Sequence, residues 1–263
     1  MSIIIATRGP KNGQCNICGD FGPLTEDHTP PKGCLKPTQV EIRHISSHLG
    51  SGPNTDKARR SQNGVKYRTL CSRCNNTLLG SKYDPHLINF VNSVGQLLKS
   101  SLDLPCQVKI STRPQAVVRA VLGHICALGV DRYLKGPKTE SFRDYFLDDT
   151  VPLPAGINVF YWAYPHQPHV MFRDAAYMNI SGGFEPFPMW LLKFFPIAFL
   201  VAWDDPQGME YQPHSFEPWR AAPFAKEADL QLTLRPTLPA FWPEAPSDRT
   251  IIMYGHEAIH AAA

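Results

Sequence analysis

Two pairs of cysteines, each with two residues between its members, constrain the fold of this chain more than any other feature of its sequence. Cys15 and Cys18 form the first pair, and Cys71 and Cys74 form the second. A Cys-x-x-Cys turn directs two thiolates at one point, and two such turns complete a tetrahedral zinc site with no open position. Four buried or redox-active thiols are the alternative, but that reading suits a lone pair better than two pairs of equal spacing. We therefore predict a structural zinc ion held by these four cysteines.

The charge of the chain is divided unevenly along its length. Residues 1–99 contain 13 Lys and Arg against 6 Asp and Glu, whereas the remaining residues contain 13 against 17. The basic N-terminal region is where a polyanion such as DNA would bind, mainly through backbone phosphates and therefore with weak sequence preference. An ordinary solvated loop is the alternative for the basic stretch 32–68. The basic residues that we predict to contact nucleic acid are Lys32, Lys57, Arg59, Arg60, Arg68 and Arg73.

The interval between the cysteine pairs and the position just after the second pair carry further polar residues. Asp27 and His28 lie in the interval, and Asn75 directly follows the last cysteine. The chain reads Cys-x-x-Cys-Gly, then Leu-Thr-x-Asp-His-x-Pro-Pro-Lys, then Leu-Cys-x-x-Cys-Asn-x-x-Leu. This ordered set, over residues 12–85, resembles the HNH or His-Me finger endonuclease superfamily, in the zinc-containing branch that includes phage endonuclease VII.

The resemblance implies a ββα-metal fold in which a β-hairpin carries Asp-His and a following helix carries Asn. By position, Asp27 and Asn75 would bind one catalytic Mg²⁺ or Mn²⁺, and His28 would be the general base. Oxygen ligands suit such hard cations, and imidazole is the side chain whose pKa suits proton removal from water near neutral pH. We therefore expect a carboxylate, an imidazole and a carboxamide to share one small pocket open to solvent.

Two positions depart from the family pattern. Lys66 stands where many members have a structural Asn, and Leu78 stands where endonuclease VII has a Glu. Asp84 and His86 are reserve metal ligands, although a helix start and a solvated histidine are the simpler interpretation.

The rest of the chain is expected to be helical first and mainly β afterwards. Apolar spacing predicts one helix from near residue 72, one over 84–101, one opened by Pro114 with a buried apolar stripe, and a short one capped by Thr139. Gly50–Gly64 is polar and glycine-rich, which predicts an exposed loop. After Pro152 we predict a hairpin of 157–164 with 169–180, one or two buried strands over 190–203, and strands at 230–234 and 250–254.

The predicted fold class is therefore α+β, with an N-terminal zinc-braced, treble-clef-like ββα-metal nuclease domain over residues 1–104. Helices and a mainly antiparallel β domain, for sensing or partner binding, follow over 105–263. The helix at 84–101 leaves open the alternative that both regions pack as one body. No apolar segment has the length of a membrane span, and no secretory signal is visible, so we expect a cytoplasmic protein.

The segment from His256 to His260 (His-Glu-Ala-Ile-His) matches a zinc-protease pattern, in which a helix places two histidines on one face. No downstream third ligand follows it, so a terminal helix with exposed histidines is the preferred interpretation. Three functions remain: a metal-dependent DNA endonuclease of phage defence or DNA processing, a non-catalytic zinc-finger nucleic-acid-binding module, and a metalloprotease. The first is preferred because a binding module has no need of Asp27, His28 and Asn75 together. For the C-terminal domain, the expected partners are a second copy of the chain, forming a homodimer, or a regulatory protein.

Overall fold

The computed structural model describes residues 5–36, 38–49, 58–100, 103–133, 137–180, 185–204, 206–245 and 249–262. Residues 50–57 of the predicted loop, which include Lys57, lie outside these ranges. The side chain of Thr139 is also not described. Within them, no helix is both long and apolar enough to cross a lipid bilayer.

The strands in these ranges pair in antiparallel fashion throughout. They are β1 (Asn12–Gln14), β2 (Phe21–His28), β3 (Val40–His44), β4 (Arg59–Ser61), β5 (Lys66–Cys71), β6 (Gln107–Thr112), β7 (Ile157–Ala163), β8 (His169–Asn179), β9 (Phe187–Phe194), β10 (Ile197–Trp203), β11 (His214–Ser215), β12 (Ala228–Thr233), β13 (Thr250–Met253) and β14 (Ile259–Ala262).

The helices of the described residues lie mostly in the middle of the chain. They are α1 (Ile45–Leu49), a π-helix (Arg73–Tyr83), α2 (Asp84–Leu98), α3 (Pro114–Ala127), α4 (Pro137–Leu147) and one 3₁₀ turn (Glu217–Trp219). The helices predicted from residues 72, 84 and 114 are confirmed. The π-helix continues directly into α2. Cys74, the last residue of the second cysteine pair, therefore lies in the first turn of one continuous helical segment.

Strands β1, β2 and β5 form one small sheet, and β6 pairs with β12 in another. The large sheet has the order β11-β7-β10-β9-β8-β14-β3-β4, with β13 beside the far end of β8. Apolar side chains alternate between its two faces, so that Leu192 joins one core and Leu191 the other. The sheet is therefore covered on both sides.

The predicted hairpin of residues 157–164 with 169–180 is wrong. Strand β7 pairs with β10, and β8 pairs with β9, so the β9–β10 hairpin lies between the two. Nearly every residue of β9 and β10 is buried, and strands buried on both faces belong at the centre of a sheet. The prediction of one or two buried strands over residues 190–203 is confirmed, and the structure has two, β9 and β10.

The predicted C-terminal helix is also wrong. Ile259–Ala262 is strand β14, which lies between β3 and β8. His260 is buried on this strand, and its ring stacks on that of His48 at a centroid distance of 3.6 Å. Because no helix forms, the two histidines of the zinc-protease pattern do not share a helical face.

The two predicted regions pack together in the described residues. Strands β3 and β4 come from the basic interval between the cysteine pairs, and they extend the large sheet by pairing with β14. Part of the predicted exposed loop is therefore the strand Arg59–Ser61. One hydrophobic core contains residues from both sides of the predicted boundary at residue 105. Helix α3 lies within this core and is buried along its whole length.

Candidate active site

The four paired cysteines converge, as predicted from their spacing. Cys15 and Cys18 lie in the turn between β1 and β2, Cys71 ends β5, and Cys74 lies in the first turn of the π-helix. Their four Sγ atoms lie within 4.8 Å of one another. Gly19 follows the first pair with a φ of +79°, a backbone angle that favours glycine. Within the described residues, no other group of three or more His, Cys, Asp or Glu side chains converges in this way.

Mutual hydrogen bonding shifts the pKa values of the four thiols in both directions. The Cys18 thiol lowers the pKa of Cys15 to about 7, and the Cys15 thiol lowers the pKa of Cys71. The Cys15 thiol in turn raises the pKa values of Cys18 and Cys74. Thiolates are the ligands that zinc prefers, and four of them at tetrahedral spacing leave no open position. The cluster could therefore hold a metal such as zinc.

Asn75 lies next to the thiol cluster and is hydrogen-bonded to strand β2. Its Nδ2 donates to Thr25 Oγ1 at 2.9 Å and to the Glu26 carbonyl at 3.1 Å. Asn75 is 8% exposed. The cysteine pairs thus fix the start of the helix against β2, and the Asn75 amide lies beside the residues that immediately precede Asp27.

Asp27 makes a buried chain of hydrogen bonds with helix α3. Its Oδ2 lies 2.9 Å from Nδ1 of His124, and Nε2 of the same ring lies 2.9 Å from Asp84 Oδ1. The Thr29 hydroxyl also donates to Asp27 Oδ2 at 3.3 Å. Burial disfavours the charged form of His124, but the two carboxylates outweigh it and raise its pKa well above the ordinary value. A protonated ring donates from both nitrogens, which matches its two partners.

His124 was missed by reasoning from the sequence. The available signal was a histidine inside an otherwise apolar helix, since a buried imidazole requires hydrogen-bond partners. Asp84 is the first residue of α2, as its helix-start interpretation predicted, and its carboxylate is also the second partner of His124. His86, the other reserve ligand, lies edge-on against the Phe224 ring.

His28 lies on the opposite side of β2 from Asp27, because successive side chains of a strand alternate. Its ring lines a small cavity of about 30 Å³, whose lining includes neither Asp27 nor Asn75. Burial, followed by the nearby Lys32 charge, lowers the pKa of His28, and a hydrogen bond with the Asn63 backbone opposes this shift. Its Nε2 atom is buried without a hydrogen-bond partner.

The expected solvent-open pocket shared by three side chains is therefore corrected. Asp27 is 5% exposed, and its carboxylate faces helix α3, whereas His28 faces the cavity on the other side of the strand. The cause is the fully buried helix α3, which contacts β2 and β5 and supplies His124 as the partner of Asp27. Asn75 is hydrogen-bonded to Thr25 and Glu26, the residues that precede Asp27 on β2, and His28 is the last residue of that strand.

A basic groove of about 540 Å³ lies near His28. It is bordered by Arg8, Arg59, Arg60 and Lys66 and by the Asn63 turn that contacts the His28 ring. Arg59 and Arg60 were predicted to contact nucleic acid, whereas Arg8 and Lys66 were not. Of the other predicted contacts, Arg68 pairs with Glu26, and Lys32 and Arg73 are exposed outside the groove.

Comparison with known proteins adds no relative. No protein-family model matches this chain, and no curated protein and no solved structure matches it.

Proposed function

We propose that this protein is a metal-dependent DNA endonuclease built on a ββα-metal domain of the HNH type. One observation carries the proposal: the thiol cluster fixes the Asn75 helix against the strand that holds Asp27 and His28. The antiparallel pair β2 and β5, followed at once by the helix, gives the order of elements that the resemblance implies. The groove beside His28 adds a cationic surface for the substrate backbone.

In this proposal the zinc ion is structural. All four thiols would be ligands, which leaves no position for water or substrate. The ion would join the β1–β2 turn to the end of β5 and the helix start. Its contribution would be to hold Asn75 in place.

The fit of a second, catalytic ion depends on oxygen atoms of Asp27 and Asn75. The hydrogen bonds of these two side chains within the described residues involve Oδ2 of Asp27 and Nδ2 of Asn75. Oδ1 of each residue would then be the oxygen donor for Mg²⁺ or Mn²⁺, and such donors suit these hard cations. His124 would orient the ligand Asp27 through its other oxygen. When bound, the ion would stabilise negative charge on the phosphate and on the departing 3′-oxygen.

His28 would be the general base. The ring has a hydrogen bond with the Asn63 backbone, and its buried Nε2, which has no partner in the described residues, would accept the proton. The lowered pKa of the ring keeps it neutral near pH 7. In the reaction a water proton passes to Nε2, the water oxygen forms a bond to phosphorus, and the bond between phosphorus and the 3′-oxygen breaks. The substrate phosphate would bind at the end of β2, which both Asp27 and His28 border.

Plasmid cleavage tests this proposal. Purified protein with Mg²⁺ or Mn²⁺ should nick or cut supercoiled DNA, and His28→Ala should lower the rate by about 10²-fold or more. The variant should keep its zinc content and its circular dichroism spectrum. His166→Ala, at a half-buried histidine outside the cavity, is the matched control and should cut at the wild-type rate. Cutting by His28→Ala at the wild-type rate would remove His28 as the base.

A second function, a non-catalytic nucleic-acid-binding module, is favoured by one observation. The Asp27 carboxylate already has a buried partner in His124, as a purely structural aspartate would. This alternative predicts salt-sensitive binding to DNA or RNA without cleavage under any divalent cation. It needs the groove and the thiol cluster, but neither Asp27 nor His28.

A further inference from the structure

Two histidines that are distant in the sequence share the small cavity at the end of β2. His28 is the last residue of β2, which pairs with β5 beside the thiol cluster. His169 is the first residue of β8 in the large sheet. Both rings line the cavity of about 30 Å³. The register explains the approach, because His169 lies opposite Ala261 of β14, which lies opposite Ile42 of β3. The basic interval thereby brings the large sheet against the hairpin.

Each of these rings has one buried nitrogen without a hydrogen-bond partner in the described residues. The atoms are Nε2 of His28 and Nδ1 of His169. A buried polar atom without a partner costs about 1–3 kcal/mol, so a recurrent explanation is an ordered water molecule. The rest of the lining combines apolar side chains with polar ones: Pro30, Leu35, Val40 and Val65 on the one hand, Thr29, Lys36 and Thr38 on the other.

The volume of the cavity suits one or two water molecules. A cavity needs roughly 10–15 Å³ of this kind of volume to hold one water, and the water needs at least two polar partners. Two imidazole nitrogens supply these partners. A water oxygen can accept from Nδ1–H of His169 while one of its protons is donated to Nε2 of His28.

We infer that His28 and His169 together bind the water molecule that attacks the phosphate, so that His169 is a second histidine of the active site. This inference rests on the proposed nuclease function for the role of the water, but the water site itself does not depend on it. His169 fixes the oxygen of the water, and His28 removes its proton. The oxygen then bonds to phosphorus as the bond to the 3′-oxygen breaks, and the proton stays on His28 Nε2.

Burial also keeps His169 in the form that this arrangement needs. It lowers the pKa of His169 to about 4, so the ring is neutral at pH 7 and does not repel a proton arriving on His28. A neutral ring carries a single N–H, which must lie on Nδ1 to donate to the water.

Side-chain replacements at His169 test the inference because they separate its two nitrogens. The amide of His169→Asn reaches the position of Nδ1, whereas the longer His169→Gln reaches that of Nε2. We expect His169→Ala and His169→Gln to lower kcat about tenfold or more with unchanged KM for plasmid, and His169→Asn to restore most of the rate. His166→Ala, in the loop that precedes β8, should leave both constants unchanged. Equal rates for all three His169 variants and wild type would overturn the inference.

A crystal structure of the wild-type protein provides a readout that needs no activity. We expect density for a water within 3.2 Å of both His28 Nε2 and His169 Nδ1, and its loss in His169→Ala. A dry cavity would overturn the inference even if the protein cuts DNA. A water in a protein that never cuts DNA would retain the site and remove the nucleophilic role together with the proposed function.

Discussion

The thiol-clamped module (residues 12–28 and 66–83) and the large sheet are held together in different ways. In the module, four sulfur atoms within 4.8 Å fix the turn, the hairpin and the helix start. In the large sheet, long-range pairing and apolar burial fix the strands, and the central hairpin β9–β10 separates strands that are neighbours in sequence. Closely spaced cysteines therefore define the fold of the module. In the sheet, many apolar strands could pair with one another, and long-range packing decides which of them do.

Removal of one thiol from the cluster should have the largest effect, because the proposed zinc ion would lose a ligand, and this effect should be concentrated in the module. Cys74→Ser leaves three thiols, and structural zinc sites contribute roughly 10 kcal/mol or more of folding free energy to small domains. We expect loss of bound zinc and loss of amide protection in the module, while β7, β9 and β10 stay protected. Zinc analysis and hydrogen exchange would measure both.

Cys106→Ser is the matched control for this experiment, because Cys106 is exposed and lies outside the cluster. It should keep full zinc content and protection. One zinc ion per chain and unchanged protection in Cys74→Ser would show that the cluster does not hold the module together.

The next largest effect should come from a buried ion pair in the large sheet. Lys193 Nζ lies 2.6 Å from Glu244 Oε1 and also donates to the Ala240 and Trp242 carbonyls, which fastens residues 240–244 over the sheet. Glu244→Gln leaves a buried charge without its counter-ion, so we expect the free energy of unfolding to fall by about 3–5 kcal/mol. Urea denaturation would measure it. Glu185→Gln, at an exposed carboxylate, should change it little, and a loss below about 1 kcal/mol for Glu244→Gln would contradict this account.

Buried neutral histidines of the large sheet should make stability depend on pH. Burial lowers the pKa of His260 to about 4 in the folded state, below the ordinary value of 6.5. The unfolded chain therefore binds this proton first, and stability falls as the pH drops from 6.5 towards 4. His260→Gln should reduce the decline between pH 7 and pH 5 by on the order of 1 kcal/mol, as measured by urea denaturation at both pH values. An identical decline in variant and wild type would refute this role of His260.

His124 should act in the opposite direction, because its folded pKa is raised. The protonated His124 ring contributes to the free energy of unfolding below pH 6.5. This contribution is lost as the pH rises through the folded pKa of the ring.

The smallest stability effect is expected at the groove. The side chain of Arg60 is 73% exposed and pairs with the half-exposed Glu41, an arrangement worth less than about 1 kcal/mol. Arg60→Ala should therefore leave the free energy of unfolding nearly unchanged. If Arg60 contacts a phosphate, the slope of log affinity for DNA against log salt should fall by about 1. Fluorescence anisotropy across a salt series would measure the slope, and an unchanged slope would remove Arg60 from the interface.

Sequence reasoning succeeded where local spacing carries the information. The cysteine cluster follows from two Cys-x-x-Cys turns, and the helices from Asp84 and Pro114 follow from apolar periodicity and proline positions. It failed where strands choose distant partners. The alternation in residues 157–180 indicates two strands but not the hairpin that separates them, and Ile259–Ala262 is a strand because β3 and β8 flank it.

The residues of the candidate site also fall into two groups, those indicated by a local motif and those brought near only by the tertiary fold. Asp27, His28 and Asn75 are predicted through the resemblance that the ordered motif carries, and the structure ties Asn75 to the strand of the other two. His124 and His169 approach them only through the tertiary fold, from α3 and β8. Both lie far along the chain from the motif, so nothing in its spacing indicates them. The burial of Asp27 likewise results from the packing of α3.

Anomalous X-ray diffraction from crystals grown with Mn²⁺ tests the central claim most directly. The account predicts zinc at the four Sγ atoms and a separate manganese signal about 2.0–2.6 Å from an oxygen of Asp27 and an oxygen of Asn75. A zinc signal without manganese at these two side chains, at Mn²⁺ concentrations that support DNA cleavage, would contradict it.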